Sequence, residues 1–125
     1  MNESGNENGK GDELADRLLD FTVRIINLVN SLPKTPIGRH IEGQLIRSGT
    51  SPGSNYEESR GAESRADFIH KLGMVLKELK ESRFWLRVIQ RTEMISHRKV
   101  EPLIQECEEL CAIIAKSIIT AKRKR

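Results

Sequence analysis

Aromatic side chains are scarce in this chain: three Phe, one Tyr and one Trp make up 4% of 125 residues. A core cannot be built from large rings, so it must be aliphatic. Long apolar runs are missing as well, which leaves no stretch of the ~20 residues that a membrane helix needs. No apolar leader segment follows Met1, and a soluble, cytoplasmic protein is expected. Cysteine is limited to Cys107 and Cys111, four residues apart inside an apolar-periodic segment, so no disulfide framework exists and both read as small core residues in a reducing compartment. The three histidines, His40, His70 and His97, lack the Glu-x-x-His partners of a di-iron bundle. The segment GNENGKG (5–11) lacks the strand, spacing and following helix of a phosphate loop. No metal or cofactor is expected. With no nucleophile and base at matching spacing either, the chain is not expected to be an enzyme.

Charge is plentiful by contrast. Asp, Glu, Lys and Arg make up 31% of the chain, and the formal net charge is +3, mildly basic and compatible with a polyanionic partner. The length is that of one domain. Residues 1–11 carry no apolar side chain after Met1 and are expected to be disordered. From about residue 12 four amphipathic stretches follow. In the first, about 12–31, Leu14, Leu18, Phe21, Ile25, Leu28 and Leu32 recur at helical spacing. Leu19, Val23 and Ile26 widen that face, so this helix needs two neighbours in its own bundle or a partner subunit. Pro33 ends it.

The second stretch, about 36–60, opens on Thr35 as N-cap with Pro36 at the first helical position. Its stripe of Ile37, Ile41 and Leu45 thins into Ser48, Gly49, Pro52 and Gly53, a turn-like composition. Arg47, Ser51, Asn55 and Glu58 nevertheless keep helical spacing through it, which predicts a kinked helix continuing past Pro52. Ser64 and Asp67 form a capping signature for a third helix, about 64–95, with Phe68, Leu72, Val75, Leu79, Ser82, Leu86 and Ile89 facing the core. The fourth, about 100–122, holds Val100, Leu103, Cys107, Leu110, Ile114, Ile118 and Ala121 on one stripe, with Pro102 in its first turn. Short connections force antiparallel neighbours, so the expected fold is all-α, an up-down-up-down four-helix bundle.

Three surfaces follow from this arrangement. On the third helix Lys77, Lys80, Arg83, Arg87 and Arg91 fall on one arc. Residues 64–98 hold eight basic against four acidic side chains, an excess larger than that of the whole chain. Arg suits bidentate phosphate contact, and the tail Lys122, Arg123, Lys124 and Arg125 adds a second cluster, so RNA or DNA is a candidate partner. Glu78 and Glu81 are possible ion-pair partners for that arc. Met74, Phe84, Trp85 and Val88 fall in a sector away from the core and are expected to form an oligomer contact. The polar line Arg47, Ser51, Asn55 and Glu58 reads as a structural network, with Arg47 and Asn55 inside the bundle meeting Glu78 or Glu81.

The runs RSGTSPGSNYEES (47–59) and DFIHKLGMVLKELKESRFWLR (67–87) carry a resemblance to a known family. They are similar to the R-S-x-x-S-x-x-x-N-x-x-E helix and the D-F-x-x-K-L…K-E…E-S/T-x-x-W-L run of the bacterial rRNA intervening-sequence proteins, four-helix bundles. Arg47, Ser51, Asn55, Glu58, Phe68, Lys77, Glu78, Glu81, Trp85 and Leu86 all match. The resemblance implies a ring-like homo-oligomer, a pentamer, with a basic surface for nucleic acid. A distant branch of that family serves as accessory proteins of diversity-generating retroelements. By resemblance, then, a scaffold role beside a reverse transcriptase or another protein is the alternative expectation.

Overall fold

The computed structural model describes residues 3–124, with side chains described from residue 9 onward. Four helices follow one another: α1 (Glu3–Val29), α2 (Pro36–Arg60), α3 (Arg65–Thr92) and α4 (His97–Arg123). Each packs on its chain neighbours, and α1 closes the ring against α4. The expected antiparallel four-helix bundle is the observed fold.

The apolar stripes meet along its axis. All six positions of the first stripe, Leu14 to Leu32, are buried, as are Ile41 and Leu45 of α2. Ile37, expected on the same stripe as these two, is instead exposed in the first turn of α2. Leu72, Val75, Leu79, Leu86 and Ile89 of α3 and Val100, Leu103, Cys107, Leu110 and Ile114 of α4 complete the core. The Cys107 thiol donates to the carbonyl of Leu79 at 3.1 Å. Its hydrogen bond with Cys111 and its burial push its pKa up, which keeps it neutral.

Where α2 passes α1 the small residues have a steric purpose. A Cβ on Gly49 would lie 2.7 Å from the Ile25 side chain, so glycine is what lets the two helices approach. On the α3 side, buried Ser82 donates to the carbonyl of Glu78 at 2.9 Å and is hydrogen-bonded to the hydroxyl of buried Ser48 at 3.2 Å. Helix α2 runs unbroken through Pro52, whose ring is buried at this seam. At the looser α1–α4 seam, Arg17 reaches Glu106 through both Nε (2.9 Å) and Nη2 (2.6 Å), and its pKa is raised chiefly by that pairing. Nothing in the spacing of α1 singles out this clamp, because Arg17 and Glu106 are 89 residues apart.

The helix ends shift from expectation. Helix α1 begins at Glu3 rather than near Asp12, inside the segment expected to be disordered; residues 1 and 2 lie outside those described. No proline interrupts residues 3–11, and elongating an existing helix adds one hydrogen bond per residue fixed. Among the residues whose side chains are described, the core starts at Leu14. Helix α3 ends at Thr92 rather than near Ile95, because Glu93 takes a left-handed conformation (φ 56°) and its N–H closes onto Gln90 and Ile89. Helix α4 therefore starts earlier, at His97, which puts Pro102 inside the helix rather than in its first turn. A left-handed conformation costs a side chain about 1 kcal/mol relative to glycine. Replacing exposed Glu93 with glycine is expected to raise the unfolding free energy by about that amount, read from a urea midpoint at unchanged m-value.

The predicted caps are in place. Thr35 accepts from the N–H of Gly38, and Ser64 accepts from that of Asp67, both at 3.1 Å. Asp67 accepts in turn from the N–H of Glu63 and from Lys71, each at 3.3 Å. Its carboxyl is held below its ordinary pKa, first by the Glu63 N–H and then by Lys71. A carboxylate with a depressed folded pKa contributes stability above its unfolded value and loses it as pH falls through the folded one. The advantage of the native chain over Asp67→Asn should be full at neutral pH and shrink once pH drops below about 4. Parallel thermal melts across acidic pH check this.

Candidate nucleic-acid interface

Helix α3 carries the cationic arc because its basic residues recur every three or four positions. Lys77, Lys80, Arg87 and Arg91 are exposed and Arg83 is half-buried. The carboxylates interspersed among them point elsewhere. Glu78 and Glu81 both engage Arg47 of α2, Glu78 at 3.1 Å from Nη1 and Glu81 against Nη2. Ser51 donates to the same Glu78 oxygen at 3.0 Å. Among the described residues, Lys77, Lys80, Arg83, Arg87 and Arg91 make no ion pair at all. Both acids are thus held by Arg47, and no ion pair neutralises the arc among the described residues.

The polar line is accordingly split. Arg47 and Ser51 meet Glu78 and Glu81, but Arg47 sits on the rim, its side chain 53% exposed, rather than inside the bundle. Its reach explains this: a long side chain buries its stem and keeps the guanidinium at the water boundary. Among the described residues, half-buried Asn55 and exposed Glu58 make no side-chain hydrogen bond and stand outside the network.

The apolar sector divides too. Met74 and Phe84 are exposed, at 44% and 57%. Trp85 and Val88 instead pack against the core rather than facing away from it. Trp85 lies under the first turns of α2, its ring 5.9 Å from that of His40, and its indole N–H is buried without an acceptor among the described residues. A second apolar strip lies on α1, where Leu19, Val23 and Ile26 are all exposed, with Ile46 of α2. Leu19 lines the α1–α2 groove beside Thr50 and Gly53, one turn from Ile46. The signal for this strip was present in the excess width of the α1 apolar face.

Phe84 does not stand apart from the cations. An open groove of about 520 Å³ is lined by Lys80, Arg83, Phe84, Arg87, Val88 and Arg91, together with Thr92. It runs along α3 for roughly 17 Å at 1.5 Å per residue. The cations of the C-terminal tail are remote from it. Lys122, Arg123 and Lys124 are exposed, and the carbonyl of Lys124 is bonded by Arg65, at the far end of α3. That places them on the order of 20 Å from Lys80 along the helix. Arg125 lies outside the described residues. Among the described residues no helix is long and apolar enough to cross a membrane.

The family model described as 23S rRNA-intervening sequence protein matches residues 13–116 of the chain. Among solved structures the chain is similar to a crystal structure of a protein with unknown function from the S23 ribosomal protein family of Bacteroides thetaiotaomicron. The two are 38% identical with a TM-score of 0.79, over 84% of this chain and 97% of that one. No curated protein matches the chain.

Proposed function

The chain belongs to the 23S rRNA-intervening sequence protein family, and within it we propose a non-enzymatic nucleic-acid-binding protein whose α3 groove holds a phosphate backbone. The observation that carries the reading is a cationic groove lining that holds no carboxylate. Lys80, Arg83, Arg87 and Arg91 have no acid three or four residues away on α3, and Glu81, the one such neighbour of Lys77, is turned to Arg47. Acids at those spacings would screen such cations. Lys80, Arg83, Arg87 and Arg91 line the groove and carry the contact, with Lys77 at its edge. The tail cations form a separate site of approach.

Self-association fits the same reading through the exposed strip of Leu19, Val23, Ile26 and Ile46. Copies joined in a ring, a pentamer for instance, would turn one groove into a belt. A role as accessory to a reverse transcriptase or another protein is the rival, and it predicts a stoichiometric protein partner that survives nuclease treatment. The deciding experiment is a mobility shift on RNA with the Arg83→Glu/Arg87→Glu double variant, beside light scattering. Loss of retention at unchanged mass supports the proposal; undiminished retention sinks it.

A further inference from the structure

Phosphate contact alone leaves one member of the groove unused. Phe84 is 57% exposed, yet it stands midway along the line of cations, with Lys80 one turn before it and Arg87 and Val88 one turn after. It is not a loose side chain. Its ring meets that of Trp85 at 5.0 Å and 79°, an edge contact that orients it, and Trp85 is itself packed on the core. The groove thus presents an oriented π-surface between positive charges, with no carboxylate among its lining residues.

That pairing of chemistries discriminates between forms of nucleic acid. A duplex offers phosphates but keeps its base faces stacked on one another, out of reach of a ring on a helix surface. A single strand offers both, and base-on-aromatic stacking between backbone contacts is how such strands are held without sequence preference. A second copy of this chain is a poorer occupant. Covering Phe84 with it would bring Lys80, Arg83, Arg87 and Arg91 into the contact, where only an acidic surface could match them.

We infer that the groove takes a single strand, with one base stacked on Phe84 and the flanking phosphates held by Lys80, Arg87 and Arg91. This rests on the polyanion reading above. RNA and DNA strands share the two features recognised, phosphate and base face, so both are ligands of this site.

The test compares four labelled oligonucleotides of equal length by fluorescence anisotropy: single-stranded RNA, DNA of the same sequence, the RNA as duplex, and an abasic strand. The native chain should bind both base-bearing strands about tenfold more tightly than the duplex or the abasic strand. Phe84→Ala should lose that margin yet hold the abasic strand as well as the native chain does. Phe84→Leu, apolar but without a π-face, should behave like the alanine variant. Because the side chain is mostly exposed, circular dichroism should be unchanged and the melting temperature only slightly lowered by loss of the Trp85 edge contact. Equal affinity for abasic and base-bearing strands, still abolished by Arg83→Glu/Arg87→Glu, overturns the stacking role and leaves the phosphate reading standing. Preferential binding of the duplex overturns it as well. Failure to bind any of the four overturns both. A change of oligomeric mass in Phe84→Ala with no change in strand affinity overturns it in favour of a second copy.

Discussion

Glutamate at positions 83 and 87 together is expected to lower affinity for a nucleic-acid strand by on the order of 1,000-fold at low salt. The double substitution changes the charge lining the groove by four units, and each unit is worth about 1 kcal/mol at about 4 Å in water. Neither arginine makes an ion pair among the described residues, so no ion pair is broken in the process. The salt dependence is the sharper readout. Four phosphates met by Lys80, Arg83, Arg87 and Arg91 give a slope of log K against log salt of about −2.8 for a single strand, at about −0.7 per phosphate. With two contacts removed the slope should fall to about −1.4 or less. A weakened affinity at unchanged slope would mean that the arginines act through the fold and not on phosphates.

Gly38→Ala should be the most damaging small substitution in the chain's stability. A Cβ there would lie 2.0 Å from the carbonyl oxygen of Pro33, a full ångström inside the closest contacts real Cβ atoms make. The obstacle is backbone, so no rotamer change relieves it. Either the α1–α2 connection or the first turn of α2 must move, and the Gly38 N–H bond to Thr35 at 3.1 Å goes with it. Overpacking costs about 1–3 kcal/mol and a lost N-cap about 1 kcal/mol, against a gain of about 1 kcal/mol from replacing glycine in a helix. The net loss is about 2 kcal/mol, or about 8 °C in melting temperature for a domain of this size. Gly43, in the same helix, supplies the control. Nothing lies within 4 Å of its Cβ position, so Gly43→Ala should stabilise by about 0.5–1 kcal/mol. The same substitution five residues apart is thus expected to change sign, as chemical denaturation of the two variants would show.

What the sequence determined by itself was everything that follows from the position of a residue along its own helix. The stripes of Leu14 to Leu32 and Leu72 to Ile89, the caps at Thr35 and Ser64 and the cationic arc of α3 are properties of spacing. The α2 register, held through Pro52 by Arg47 and Ser51, was legible for the same reason. Most relations between helices belong to the tertiary structure alone. That Arg47 would meet Glu78 or Glu81 was legible in the polar line, but that it takes both from the rim while Asn55 stays outside depended on how α2 is rotated against α3. Trp85 and Val88 are covered, and Leu19, Val23 and Ile26 left bare, because a flank position is buried only when a neighbouring helix is close enough to reach it. Packing decided that distance, through contacts such as Gly49 against Ile25.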